Sequence, residues 1–296
     1  MTPEAEPGAD ADFRVMGVIN VTPDSFSDGG LYLDPAAAIA HGRALADEGA
    51  AILDVGGEST RPRSEPVPAA EELRRVVPVI EGLVAAGVGA QISVDTSKAA
   101  VAAAALGAGA TMVNDVTGFR ADSEMASVVA ASGADCVLMH MLGTPRTMQD
   151  DPRYDDVVSE IKAFLEERIA FAVSAGVAEE RILVDPGIGF GKTAAHNLEL
   201  INRIGELATL GRPVVIGTSR KSFLGRLTGR LTGRVTDDRL AGTIATNVLA
   251  YERGARVFRV HDVAPVHDAL AVAAATVRAG CPSTMIATST TTSTKM

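Results

Sequence analysis

Short apolar runs recur along the chain, and each ends on polar or charged side chains. Met16-Gly17-Val18-Ile19 runs into Asn20, Ala51-Ile52-Leu53 into Asp54, Ile92-Ser93-Val94 into Asp95, and Thr111-Met112-Val113 into Asn114-Asp115. Further on, Val137-Leu138-Met139 ends on His140, and Ile182-Leu183-Val184 on Asp185. Val214-Val215-Ile216 leads into Gly217-Thr218-Ser219-Arg220-Lys221, and Val257-Phe258 into Arg259-Val260-His261. Continuous apolar runs read as strands buried on both faces, the pattern of a parallel sheet covered by helices.

Helix-length segments with a period near 3.6 lie between the runs, several of them with end signals. Asp34-Pro35 provides an N-cap and a first-turn proline, and Gly49 closes that helix. Thr96 or Ser97 is expected to cap an alanine-rich helix ending near Gly107 or Gly109, and Asp122 or Ser123 to open the next. A long helix is expected over residues 154–175, with others starting at Thr193 or Ala194, at Asp237-Asp238 and at Val263 or Ala264. Eight right-handed βα units predict an α/β fold, a (β/α)8 TIM barrel in one domain over residues 13–280. Residues 1–12, rich in Glu, Asp, Ala and Pro, are expected as a disordered leader, and 281–296 as a disordered Ser/Thr tail. Two connections, residues 21–33 and 56–68, are long, polar and rich in Gly, Pro and Ser, as expected of lids on the barrel's upper face.

Composition sharpens this picture in two ways. With 47% hydrophobic and only 4% aromatic residues, the core must be built of Ala, Val, Leu and Ile, as barrel layers are. A net charge of -10 with no basic stripe argues against general nucleic-acid binding, yet leaves room for a local cationic pocket. Cys136 and Cys281 form no spacing motif and read as unpaired thiols of a reducing compartment. No apolar stretch reaches the ~20 residues a membrane span needs, and the N-terminus lacks signal-peptide regions, so a cytoplasmic protein without membrane contact is expected.

A barrel places its chemistry at the C-terminal ends of its strands, which makes the polar run-ends candidate site residues. Asp95, Asn114 and Asp185 would face one another across the mouth, where carboxylates and an amide can pair with the N–H edge of a flat heterocycle. Asp95 alone could equally be a helix cap. His140 and His261 leave a metal site open, although no ligand-spaced pair supports it. Arg259 and His261, two apart on one strand, share a face and can grip an anion, and strands seven and eight commonly hold phosphate. Lys221 sits at a helix start, where a cation opposes the dipole unless a ligand or carboxylate needs it there. Gly187-Ile-Gly-Phe-Gly191 fits a dinucleotide fingerprint only loosely.

The segment Met16-Gly-Val-Ile-Asn-Val-Thr-Pro-Asp-Ser-Phe-Ser-Asp-Gly-Gly30 resembles the signature of the dihydropteroate synthase family, and Asp54-Val-Gly-Gly-Glu-Ser-Thr-Arg-Pro62 its second signature. Ser93-Val-Asp-Thr96, Asn114-Asp115, Asp185-Pro-Gly-Ile-Gly-Phe-Gly-Lys192, Thr218-Ser-Arg-Lys-Ser222 and Arg259-Val-His-Asp262 follow in the family's order, covering residues 14–278. The resemblance implies the union of 6-hydroxymethyl-7,8-dihydropterin diphosphate with 4-aminobenzoate, giving 7,8-dihydropteroate and diphosphate. By matching position, it implies that Asp95, Asn114, Met139, Asp185, Phe190, Gly217 and Lys221 hold the pterin. Asn20, Arg259 and His261 would hold the diphosphate, with Asn20 also at a Mg²⁺ ion. Phe26, Thr60, Arg61, Pro62, Phe190, Lys221 and Ser222 would surround aminobenzoate. Catalysis would fall to Asp95, Asp185 and Lys221, by a dissociative displacement in which a ring-bound carboxylate steadies the developing cation. A homodimer is expected through the Ala/Val-rich helices that follow strands seven and eight. The alternatives are a pterin-dependent methyltransferase domain and a non-catalytic pterin-binding homologue.

Overall fold

The structure is a computed structural model, and its described residues are 12–22, 34–61, 64–233 and 238–279. The first half of the chain alternates β1 (Arg14–Asn20), α1 (Pro35–Asp47), β2 (Ile52–Gly56), α2 (Ala69–Ala85), β3 (Gln91–Asp95), α3 (Ala99–Gly107), β4 (Met112–Asp115) and α4 (Met125–Ser132). The second half continues with β5 (Asp135–Met139), α5 (Val157–Ser174), β6 (Ile182–Asp185), α6 (Ala194–Asn202), α7 (Ile204–Ala208) and β7 (Val215–Ile216). It ends with α8 (Ser222–Thr232), α9 (Leu240–Glu252), β8 (Val257–Val260) and α10 (Val263–Ala279). All eight apolar runs are strands.

The strands pair in parallel in the order β6-β5-β4-β3-β2-β1-β8-β7. The remaining gap is spanned by a bridge between Val184 and Val214, with Val184 N donating to Pro213 O at 3.1 Å. The result is a (β/α)8 barrel in a single domain. Its two cores explain why the runs do not alternate. One set of side chains, Met16, Ile52, Met112, Val137, Leu183, Val215 and Val257, fills the barrel's interior as a buried layer. The intervening residues, such as Leu53, Val94, Val113, Leu138, Val184 and Phe258, pack outward under the helices. Both faces are therefore dry.

Local capping chemistry follows the sequence at α1 and α6 and departs from it at α3 and α4. Asp34 accepts from Ala36 N ahead of Pro35, Asp156 caps α5, and Thr193 closes a capping box with His196 on α6. The expected cap of α3 by Thr96 or Ser97 is corrected: Lys98 occupies the N-cap position, and Ala99 N donates to Asp122 Oδ2 at 2.9 Å from the β4–α4 connection. Thr96 Oγ1 accepts from Lys98 N instead. The expected opening of α4 at Asp122 or Ser123 is corrected as well: Glu124 holds its N-cap position with no side-chain cap bond, and Asp122 only accepts from Glu124 N just ahead of the helix.

The expected leader, apart from Asp12, and the expected tail lie outside the described residues, as do Cys281 and most of the first long loop. Asp12 is tied to the barrel by Tyr251 Oη at 2.6 Å, so the folded part reaches one residue further than expected. Cys136 is a free, buried thiol whose pKa burial pushes up to about 12, as for an inert core cysteine. Among the described residues no helix is long and apolar enough to cross a membrane.

Candidate active site

Side chains on a strand alternate, so stepping two residues from the interior apolar layer stays on the inner face. From Ile52, Met112, Val137, Leu183, Val215 and Val257 that step reaches Asp54, Asn114, Met139, Asp185, Gly217 and Arg259. A second step from Arg259 reaches His261. The barrel's own periodicity thus gathers most of the expected residues into one ring above the core.

Arg259 is the hub of that ring. Its Nε donates to Asp54 Oδ2 and its Nη2 to Asp95 Oδ2, both at 2.7 Å. Asp54, fully buried, also accepts from Asn114 Nδ2 at 2.9 Å and from Ser93 Oγ at 2.7 Å. Asp54 is one of the polar run-ends but has no expected role at the site, although its spacing from Ile52 marks it as inward-facing. It joins β2, β3, β4 and β8 and sets the orientation of both Asn114 and Arg259. Burial pushes the Asp95 carboxyl up to about 7 against the pull of Arg259, with Asp54, Glu72 and Asp115 adding to the rise. Arg259 itself is raised, because Asp54 and Asp95 outweigh the burial that opposes its charge. Asp115, the other half of the Asn-Asp pair, faces outward and accepts from Thr117 N, Thr117 Oγ1 and Phe119 N. It builds a turn.

Beside this hub, Asp185 Oδ1 accepts from Gly187 N at 2.6 Å. Burial raises its carboxyl to about 6 although Gly187, Lys221, Lys192 and Arg259 all favour its charge. Lys221 lies over the Phe190 ring, 4.1 Å from its centroid, and is lowered to about 8, chiefly by burial and then by Arg259. It reaches the mouth because Arg220 takes a left-handed conformation, φ 56°, held by a bidentate pair with Asp262. Met139 is buried with Val116, Met141 and Met148, and Phe190 packs against them. Sequence reasoning misses Val116, Met141 and Met148, because isolated residues of this kind carry no periodic signal.

On the β7–β8 side, Ser219 Oγ accepts from His261 N at 3.2 Å and lies 3.0 Å from His261 Nδ1. When the hydroxyl proton donates to Nδ1, the ring proton sits on Nε2. Burial first, then Arg220 and Arg259, lowers His261 to about 3, so it is a neutral donor. Asn20 ends β1, half-buried. Thr60, half-buried, and Arg61, exposed, lie on the β2–α2 connection, and Ser222 is the first residue of α8. Phe26 and Pro62 lie outside the described residues.

His140 does not join His261. It is buried against Phe164, edge-on at 4.8 Å between centroids, and its Nδ1 is 3.0 Å from Lys192 Nζ. Burial, with Lys192 and Arg120, lowers it to about 2. Lys192, also buried, donates to Phe190 O at 2.9 Å and so pins the loop that carries Phe190. Among the described residues no group of three or more His, Cys, Asp or Glu side chains is arranged to hold a metal.

That loop depends on glycine. At Gly187, φ is 68° and an added Cβ would lie 1.9 Å from His140 O. Gly187→Ala is expected to cost more than the ~1–3 kcal/mol of a strained backbone alone, because the clash is with main chain. Thermal unfolding checks this, and an unchanged midpoint would show that the loop relaxes freely.

A parallel barrel with carboxylates, an amide, two cations and a neutral imidazole converging inside its mouth defines an enzyme of the barrel class that holds its ligands at the strands' C-terminal ends. The chain belongs to the pterin-binding enzyme family, whose model matches residues 16–261. Within that family it stands with the dihydropteroate synthases. That of Mycobacterium leprae is 48% identical over 273 residues, 91% of this chain and 95% of the relative. The Xanthomonas albilineans dihydropteroate synthase solved with 4-aminobenzoic acid superposes with a TM-score of 0.81 at 50% identity, covering 91% of this chain and 94% of that one. The same enzyme in complex with 7,8-dihydropteroate gives a TM-score of 0.78 at 48% identity, with coverage of 91% and 94%.

Proposed function

We propose that the barrel mouth carries out the dihydropteroate synthase reaction, joining 6-hydroxymethyl-7,8-dihydropterin diphosphate to 4-aminobenzoate with release of diphosphate. The observation that carries this is the convergence of Asp95, Asn114, Asp185 and Lys221 with Arg259 and His261 at one mouth, in a chain nearly half identical to synthases along their length. The test is an assay of diphosphate release and dihydropteroate formation with the pterin diphosphate, with and without aminobenzoate. Absence of dihydropteroate would overturn the reading.

The pterin ring lies between Asp95, Asn114, Asp185 and Lys221, with Met139, Phe190 and Gly217 at its faces and edge. Its N–H groups donate to the carboxylates, and Lys221 donates to its acceptor edge. Arg259 and the Nε2–H of His261 bind the diphosphate, which becomes a good leaving group as its charge is met. Arg259 is shared with Asp54 and Asp95, so it turns part of its fork from carboxylate to phosphate when the substrate arrives. As the carbon–oxygen bond breaks, positive charge spreads from the methylene into the ring and is steadied by Asp185 and Asp95. Aminobenzoate, a weak nucleophile, then attacks the cation through its amine nitrogen from a pocket formed by Phe26, Thr60, Arg61, Pro62, Phe190, Lys221 and Ser222, and the new ammonium gives up its proton to the released diphosphate or to water.

Asn20 offers a single amide oxygen and would hold a Mg²⁺ ion through it, a donor that suits this hard cation. When bound, the ion supplies further charge neutralisation on the leaving group. Exposed Leu249 on α9 and Val272 and Val277 on α10 support a homodimer through the helices after β7 and β8, to be read by sedimentation. A cytoplasmic location suits the reduced, buried Cys136.

A pH dependence follows. Asp95 and Asp185 must be charged to accept from the ring and Lys221 must be charged to donate to it. Affinity for the hydroxymethylpterin without its diphosphate is expected to fall in two steps as pH drops through about 7 and about 6, and to fall again above about pH 8. Using the free pterin removes the titration of the phosphates, and a flat calorimetric profile would show that none of these groups faces the ring.

A further inference from the structure

Thr60 and Arg61 can serve aminobenzoate only if their loop is held in place, and the fastening begins at Glu58. This residue opens the loop and ties its two ends together. Its Oε1 accepts from Val67 N at 2.8 Å, and its Oε2 meets Lys98 Nζ at 2.5 Å. Lys98, three residues beyond Asp95 on the β3–α3 connection, also meets Glu72 Oε2 at 2.6 Å on α2. Glu72 is fully buried and its Oε1 has no hydrogen-bond partner, which makes Lys98 its counter-charge. Arg75, also on α2, donates to Gly57 O at 2.8 Å and braces the loop's first foot. Inside the arch, Ser64 Oγ donates to Ser59 O at 2.5 Å and Ser64 N donates to Arg61 O at 3.1 Å.

Thr60 and Arg61 thus ride on an arch whose feet are joined by one carboxylate, and a single ammonium fastens that carboxylate to the strand end that bears Asp95. Packing alone does not call for this arrangement. A buried ion pair costs desolvation on both sides, and apolar residues of similar size would fill the space with no loss of stability. What the charges supply is a fixed position for a polar loop.

We propose that Glu58, Lys98 and Glu72 form a positioning triad that sets the aminobenzoate loop against the pterin end of the mouth and so governs KM for aminobenzoate. The triad acts through Thr60 and Arg61, and this rests on the role proposed above for those two residues.

Steady-state kinetics of the full-length enzyme test it. Glu58→Gln keeps an oxygen for Val67 N and removes the charge that Lys98 holds. It is expected to raise KM for aminobenzoate about tenfold, the worth of one charge-assisted hydrogen bond, with kcat and KM for the pterin diphosphate within about twofold of wild type. Lys98→Met strands Glu72 in the interior and endangers the fold, so the double variant Lys98→Met/Glu72→Met, which removes both charges together, is the companion measurement and should show the same selective rise. Lys98→Arg should keep KM within about threefold of wild type, since a guanidinium can span both carboxylates. Equal changes in KM for both substrates, or none, in Glu58→Gln and the double variant would overturn the triad's role. Arg61→Ala separates the loop's role from the triad's. If it raises KM for aminobenzoate and Glu58→Gln does not, the triad alone falls; if Arg61→Ala changes nothing, the loop assignment falls and takes the triad with it.

Discussion

Replacing Arg259 with alanine is expected to damage fold and function together, whereas His261→Ala should damage function alone. Arg259 is the shared partner of Asp54 and Asp95 at 2.7 Å each, and both carboxylates are buried. Removing one member of a buried, hydrogen-bonded charge pair costs about 3–5 kcal/mol because the other is left uncompensated. His261 is neutral, and its partner Ser219 can find water. In both variants a ligand with the diphosphate should lose affinity. In His261→Ala the free pterin should bind as before, but Arg259→Ala should weaken it too, because Asp95 loses its direct partner and Asp54, which orients Asn114, loses its counter-charge. Calorimetry on the two ligands, set beside thermal unfolding, decides the matter. Equal unfolding midpoints for the two variants would mean that the Asp54–Arg259–Asp95 bridge carries no structural weight.

Asp185→Asn should separate activity from stability in the opposite sense. The residue is buried, and the folded state raises its carboxyl from 3.8 to about 6. A group raised in this way contributes stability below its unfolded pKa and loses that contribution as pH rises through the folded value. At pH 7 the ionised carboxylate therefore opposes folding, by at most ~3 kcal/mol on a shift of this size. An amide still accepts from Gly187 N without that charge, so the ligand-free variant should melt at or above the wild-type temperature. Its turnover should collapse. Both the contact to the ring and the stabilisation of the developing cation need the charge, and two such interactions at ~1.5–3 kcal/mol each predict a fall of about two to four orders of magnitude in kcat/KM. Wild-type turnover in Asp185→Asn would remove that residue from the mechanism, and a large drop in melting temperature would show that its charge is structural.

Much of this site is legible in the amino-acid sequence because a closed parallel barrel imposes two simple rules. Its strands are apolar on both faces, so they stand out as unbroken runs, and its ligands meet the strand ends, so the polar residue ending each run is a candidate. Asp95, Asn114, Asp185, Arg259 and His261 all stand out in that way. Asp54 ends a run too, but β2 continues two residues past it to Gly56, and among the run-ends it has no more weight than Asp115. Yet Asp54 faces inward and Asp115 outward, and only parity with the interior layer separates them.

The sequence by itself determined the strands, their alternation with helices, most of the helix starts and the identity of the residues ringing the mouth. Each of these depends on local chemistry or on a short period that a single chain displays. Tertiary structure alone decided which polar groups pair: Arg259 with Asp54 and Asp95, 205 and 164 residues away, His140 with Lys192, and Asp122 with the cap of α3. It also decided their charge states, placing Asp95 near 7 and His261 near 3. The reason is that pairing and desolvation depend on register between strands distant in the chain and on what burial removes from water, and neither is written in any one segment.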